Sequence, residues 1–143
     1  MIRKNTRIGI VGAGTTGTYL TYLLAKKGYQ VDLFEKSPAP RTDDSGILLI
    51  SSGMKAIYQG NSELCYQLIE KGVPVKTFEF RNFKDRVVEQ QQVEYEEKEI
   101  PGILIHRKAI LESILTYLPE DCLYYNAFDR LTIYAKALIV FYV

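Results

Sequence analysis

The sequence predicts an α/β fold with a parallel sheet, and three features of its first residues predict it. Residues 8–11 form a short apolar run, as expected of a strand that is buried on both faces. A glycine-rich turn follows at once, and the leucine spacing over residues 15–27 then predicts a helix that Gly28 ends. Gln30–Phe34 is a second strand candidate, so residues 6–35 indicate a βαβ unit with a right-handed crossover.

Later segments continue the mixture of strands and helices. Residues 75–81 and 87–95 surround a polar loop and predict an added β-hairpin over residues 75–97. Apolar residues at helical spacing predict a helix over residues 107–118, which Pro119 ends. The other predicted elements are a strand at 47–50, helices at 53–59 and 62–71, and strands at 122–125, 130–135 and 137–143. With 143 residues, we expect a single domain over residues 1–143.

Composition narrows the classes of partner. The formal net charge is +1, from 18 basic and 17 acidic residues, which gives no reason to expect a nucleic acid or an anionic membrane. No apolar run approaches the roughly 20 residues that span a bilayer. Cys65 and Cys122 lack the spacing of a metal site or a CxxC motif, and we expect no metal. Two buried thiols in a reducing cytoplasm are the expected state, with a disulfide as the alternative.

The glycine turn has the spacing of a dinucleotide-binding, Rossmann-like unit. Gly12 permits a sharp turn, Gly14 admits a pyrophosphate, and Gly17 lets the helix pack closely on the strand. Glu35 ends the second strand, where a carboxylate accepts hydrogen bonds from ribose hydroxyls and repels the 2′-phosphate of NADP. The predicted cofactor contacts here are Gly12, Ala13, Gly14, Thr16, Gly17, Glu35 and Lys36. The alternative is an ordinary glycine-rich turn with a solvated Glu35.

Two further segments extend the pattern beyond the turn, which alone does not separate FAD from NAD. Arg41 precedes the run Ser45-Gly46-Ile47-Leu48-Leu49, and Ile103-Leu104-Ile105-His106-Arg107 leads into an amphipathic helix. With residues 7–35, these segments resemble the FAD-binding N-terminal part of group A flavoprotein monooxygenases, the aromatic hydroxylase family. One position departs from the FAD-binding pattern: Thr21 stands where a smaller residue is common.

The resemblance implies a GR2-type FAD-binding fold, with Arg41 and Arg107 as further FAD contacts. A guanidinium suits this role because it is always charged and donates in a fork to phosphate or flavin oxygens. The alternatives are a solvated loop charge for Arg41 and a surface arginine at a helix start for Arg107. In the intact family, NAD(P)H is the co-substrate and O2 hydroxylates a small, often aromatic substrate. We assign no catalytic residue, and interpret His106 as a packed or capping residue.

The extent of the resemblance and the apolar run at residues 137–143 lead to two further expectations. The resemblance covers roughly the first third of a family member, and the Asp-Gly and Gly-Asp elements that complete its FAD site are not in this sequence. Residues 137–143 form an apolar run without a polar cap, which predicts either a truncated chain, inactive alone, or self-association through this strand. The alternative functions are a non-catalytic nucleotide-binding or interaction protein and an NAD-dependent oxidoreductase domain.

Overall fold

The computed structural model describes residues 6–40, 45–127 and 141–142. In chain order its elements are β1 (Arg7–Val11), α1 (Thr15–Lys26), β2 (Gln30–Phe34), β3 (Gly46–Leu49), α2 (Ser51–Gly60), α3 (Ser62–Lys71), β4 (Val73–Pro74), β5 (Thr77–Arg81), β6 (Val87–Gln92), β7 (Ile103–His106), α4 (Arg107–Leu115), β8 (Leu123–Tyr124) and β9 (Phe141–Tyr142). They fall into two compact units, Met1–Ser45 with Arg107–Val143, and Gly46–His106. The assignment of residues 1–143 to a single domain stays a prediction.

The first unit contains a parallel sheet in the order β8-β2-β1-β9. Ile8 and Ile10 of β1 are in register with Val31 and Leu33 of β2, and all four side chains are buried. Leu20 and Leu24 of α1 are among the partly buried side chains that pack against this core. The predicted α/β fold with a parallel sheet is therefore confirmed. Because the strands are parallel, their carboxyl ends share one edge, where the glycine turn and Glu35 lie.

The helix predicted over residues 107–118 is shorter in the structure and ends at Leu115. The chain then tightens, with Tyr117 and Leu118 donating to the carbonyl oxygens three residues earlier. Two hydroxyls promote this ending, since Ser113 donates to Ala109 O and Thr116 donates to Ser113 O, both at 2.8 Å. The prediction of the helix was correct, and its end was wrong by one turn.

The second unit contains an antiparallel sheet that the sequence analysis did not predict, in the order β3-β7-β4. Its buried core includes Met54 of α2, Leu64 and Leu68 of α3, and Ile103 of β7. β4 was missed because it has only two residues, Val73 and Pro74.

The predicted hairpin is present as a separate two-stranded antiparallel sheet of β5 and β6. β5 begins at Thr77 instead of residue 75, because the N–H of Val75 donates to Gly102 O at 2.9 Å and so directs this part of the chain away from β6. Every residue of β6 is exposed.

Some predictions concern residues outside the described ranges. The strand predicted at 130–135 lies there, as does most of the strand predicted at 137–143. Phe141 and Tyr142 are described and pair in parallel with Ile10 and Val11 of β1. Self-association through this strand stays a prediction. Across residues 6–40, 45–127 and 141–142, no helix has the length and apolar character to cross a membrane, and no group of side chains has the composition of a metal site.

Candidate functional site

The glycine turn joins β1 to α1 and brings the backbone at the start of α1 close to the backbone at the end of β1. Gly12 adopts a φ of 102°, in the left-handed region that favours glycine, and its N–H donates to Phe34 O at 2.7 Å. A Cβ on Gly17 would overlap the carbonyl oxygen of Gly12 and stand 3.2 Å from its carbonyl carbon. The turn thus holds the start of α1 directly on the end of β1, which only glycine at position 17 allows.

The N-terminus of α1 points its free N–H groups toward the edge of the sheet. Gly14 caps the helix without a side-chain hydrogen bond, and the first turn carries no acidic residue. Thr18 N–H donates back to Gly14 O at 2.9 Å, so hydrogen bonding inside the helix begins there. Because the unpaired N–H groups at a helix start carry a partial positive charge, this position is favourable for an anion.

Glu35 lies immediately after β2, where its carboxylate is held in place before any ligand binds. Its Oε2 accepts the N–H of Ala13 at 2.8 Å, and its Oε1 accepts the N–H of Ser37 at 2.9 Å. The residue is only 8% exposed. Each carboxylate oxygen keeps acceptor capacity, so the pair is oriented to receive two further donors. The alternative of a solvated Glu35 is therefore wrong.

Arg107 is the first residue of α4, and its side chain reaches the glycine turn. Its backbone N–H donates to Ser45 O at 2.9 Å, which fixes the start of the helix. A Cβ built on Gly14 would lie 3.4 Å from Nη2 of the guanidinium. None of the described carboxylates pairs with Arg107. A cation at a helix start is electrostatically unfavourable alone, and an anion between it and the N-terminus of α1 would offset that cost.

The structure gives less information on the other residues predicted to contact the cofactor. Thr16 and Lys36 are exposed on either side of the turn, and their contact with a cofactor stays a prediction. Arg41 lies outside the described residues. Thr21, the departure from the FAD-binding pattern, is fully buried, and its hydroxyl donates to Gly17 O at 2.8 Å. Because this hydrogen bond satisfies the hydroxyl, α1 packs closely on the sheet despite the larger side chain.

The site has the donors and acceptors for a dinucleotide. The helix start and the Arg107 guanidinium suit the two negative phosphates of a pyrophosphate, and a Cβ on Gly14 would meet only Nη2 of that guanidinium, at 3.4 Å. The Glu35 carboxylate suits the two hydroxyls of an adjacent ribose and disfavours a ribose that carries a 2′-phosphate. The residues present therefore fit the adenosine diphosphate half of FAD.

Comparison with known proteins adds a family context to this geometry. A family profile described as an NAD(P)-binding Rossmann-like domain matches residues 10–71. The chain is 38% identical over 77 residues to the kynurenine 3-monooxygenase of Candida albicans, a match that covers 48% of this chain and 17% of that relative. The chain thus spans less than a fifth of the length of this curated relative.

Several solved structures share the fold of this chain. The p-nitrophenol 4-monooxygenase PnpA from Pseudomonas putida has a TM-score of 0.73 at 15% identity, over 85% of this chain and 32% of its own. CtdE, crystallised with FAD and a substrate, has a TM-score of 0.70 at 19% identity, over 85% of this chain and 30% of its own. In sequence and in fold, the chain is similar to the N-terminal portion of these monooxygenases.

Two features of this region escaped the sequence analysis. Asp32 lies in the strand predicted at Gln30–Phe34, yet it is buried and forms a bidentate ion pair with Arg7, with Nη2 to Oδ1 at 2.9 Å. Tyr125 was assigned to a strand, yet β8 ends at Tyr124. Burial, and then the negative charge of Glu35, raises the pKa of the Tyr125 phenol. Arg7 is in register with Gln30, so its ion pair with Asp32 is diagonal across β1 and β2. A basic residue on one strand and an acidic residue on the next was the sequence signal for this pair.

Proposed function

We propose that this chain binds FAD as the N-terminal part of a flavin-dependent monooxygenase. One observation carries the proposal: the start of α1, the Glu35 carboxylate and the Arg107 guanidinium all border the glycine turn within one compact unit. An anionic pyrophosphate fits between the first and the third, and a ribose diol fits the second. The relatives' monooxygenase names support the reaction class.

The residues of this chain have binding and orienting roles in the proposal. Gly14 and the N–H groups of α1 hold the pyrophosphate, Arg107 neutralises it from the opposite side, and Glu35 fixes the ribose. Bound FAD would supply the redox chemistry, with NAD(P)H as electron donor and O2 as the source of the oxygen atom placed on a small aromatic substrate. A cytoplasmic location belongs to the same proposal and is supported by two buried, free cysteines.

Calorimetric titration of the purified chain with FAD and with NAD tests the cofactor. We expect micromolar binding of FAD and much weaker binding of NAD. The variant Gly14→Val should weaken FAD binding by more than about tenfold, because its side chain fills the space between α1 and Arg107 that the pyrophosphate needs.

Gly53→Ala is the matched control for this titration. Gly53 lies on α2 with nothing within 4 Å of a Cβ, so this variant should bind FAD with unchanged affinity. Micromolar binding of NAD without binding of FAD would contradict the flavin proposal and favour an NAD-dependent oxidoreductase domain. Equal FAD affinities for the wild type and Gly14→Val would refute the role of the glycine turn.

A further inference from the structure

The residues after β8 are tied to the residues after β2, beside the Glu35 carboxylate. Glu35 N–H donates to Tyr124 O at 2.8 Å, and Ala127 N–H donates to Glu35 O at 3.0 Å. Asn126 N–H donates to Ser37 O at 3.2 Å. These hydrogen bonds place the backbone of Tyr125 beside that of Glu35, at the carboxyl edge of the sheet.

The side chain of Tyr125 lies on the same side of this edge as Glu35. Phe34 and Tyr124 are partners in the parallel register of β2 and β8, and their rings stack with centroids 5.4 Å apart. Side chains of partner residues share a face, and the face alternates at each step along the chain. Tyr125 and Glu35 each come one step after these partners. The Tyr125 phenol is partly buried, and its pKa is raised first by burial and then by the negative charge of Glu35, as expected of two side chains that lie close together.

The order of the strands gives the direction in which a nucleotide extends. The pyrophosphate belongs beside the end of β1, and the ribose diol belongs at Glu35, after β2. β8 is the next strand in the same direction. The base attached to that ribose therefore points toward the residues that follow β8.

We infer that Tyr125 forms the base side of the nucleotide site and stacks on the adenine of the bound dinucleotide. This inference rests on the proposed FAD-binding function and assigns a specificity-determining residue to it. A tyrosine ring suits the role because it is rigid and offers a flat face to a purine. Asn126, with a φ of 53°, makes the turn that returns the chain to Ser37 and holds the ring at this edge.

Three variants test the ring by calorimetry with FAD, ADP and UDP as probes. Tyr125→Leu should weaken the binding of FAD and ADP by about tenfold, the usual effect of removing one stacked aromatic ring. It should also reduce the preference for ADP over UDP. Tyr125→Phe keeps the ring and should bind within about twofold of the wild type. Tyr66→Leu, an exposed tyrosine of α3, is the matched control and should leave all three affinities unchanged.

A tryptophan reporter keeps the test decisive if Tyr125→Leu folds poorly. The chain contains no tryptophan, so Tyr125→Trp introduces a single indole at the inferred base site. Saturating ADP should quench its fluorescence by stacking. Unchanged fluorescence at saturating ADP, or a folded Tyr125→Leu with wild-type FAD affinity, would overturn the role of Tyr125 while leaving FAD binding intact. Failure of the wild-type chain to bind FAD would overturn the proposed function and this inference together.

Discussion

At the scale of single residues, three glycines of the turn have different physical requirements. Gly12 needs its backbone angle, Gly14 borders open space in front of Arg107, and Gly17 faces the backbone of Gly12 with no space for a side chain. Position 17 is therefore a requirement of folding, whereas the proposed function makes position 14 a requirement of ligand binding. Substitutions at the two positions should separate stability from affinity.

Gly17→Ala should lower the free energy of unfolding by about 2 kcal/mol, within the range for overpacking a tight contact. The added methyl group meets backbone atoms of Gly12, which cannot rotate away as a side chain does. Urea denaturation followed by circular dichroism measures the change. Gly53→Ala is the control and should raise stability by about 0.5 kcal/mol or more, because alanine favours the helix interior. Equal stability of wild type and Gly17→Ala would contradict the close packing of α1 on β1.

The two cysteines give a second prediction at this scale. Both are free and buried, as the sequence analysis expected, and burial raises the pKa of each thiol above its ordinary value of 9.0. Because the folded chain holds the thiol protons more tightly than the unfolded chain, this contribution to stability is full below pH 9.0 and is lost as the pH rises toward the raised values.

A thiol reagent should accordingly react slowly with the native chain at pH 8. In urea, where the chain is unfolded, the reagent should react rapidly with both cysteines. Absorbance of the released chromophore follows the reaction. Rapid modification of two thiols under native conditions would show that the cysteines are not buried in solution.

At the scale of the elements, β1 and β2 are joined by an ion pair in addition to their ladder. Asp32 contributes the buried carboxylate, with a side chain 8% exposed, and Arg7 contributes a guanidinium that is 54% exposed. A buried carboxylate that loses its partner is costly, and solvent around Arg7 reduces that cost. The pair also explains why a charged residue is tolerated inside β2.

Arg7→Ala should therefore lower the free energy of unfolding by about 1–2 kcal/mol, measured by urea denaturation at pH 7. Lys108→Ala is the matched control. It removes the partner of Glu112, which lies 3.9 Å away in an exposed pair on α4, and should change stability by less than about 0.5 kcal/mol. Equal changes in the free energy of unfolding for Arg7→Ala and Lys108→Ala would show that burial of Asp32 does not strengthen the Arg7–Asp32 ion pair.

At the scale of the whole molecule, the proposed nucleotide site belongs to one of the two compact units. Its glycine turn, Glu35 and Arg107 all lie in Met1–Ser45 with Arg107–Val143, whereas the hairpin of β5 and β6 lies in Gly46–His106. A ligand that binds only the folded site stabilises it by about 2.7 kcal/mol at a free concentration 100 times its Kd. That stabilisation should be uneven along the chain.

Hydrogen exchange measured with and without saturating FAD tests this expectation. Amides of the glycine turn, of α1 and of residues 34–37 should exchange more slowly with FAD, and amides of the β5–β6 hairpin should exchange at unchanged rates. The β5–β6 hairpin lies outside the proposed site, so its amides serve as an internal control. Protection of the hairpin without protection of the glycine turn would place the ligand elsewhere and contradict the proposed site.

The sequence by itself determined the βαβ unit, its glycine turn and the place of Glu35. These depend on local spacing, since apolar periodicity and glycine positions act within a few residues of one another. The hairpin was readable for the same reason. The predicted ends of the elements were less accurate. Hydrogen bonds from the hydroxyls of Ser113 and Thr116 affect where α4 ends. A hydrogen bond from Val75 N–H to the distant Gly102 O affects where β5 begins.

Only the tertiary structure decided which distant residues meet. It placed Arg107 in front of Gly14, paired Arg7 with Asp32, and set Tyr125 across from Glu35. It also joined β3, β7 and β4 into an antiparallel sheet. These contacts link residues far apart along the chain, and their partners are selected by strand order and packing that no local pattern encodes. The glycine turn predicts that the chain binds a nucleotide. The long-range contacts determine which side chains surround the proposed nucleotide site.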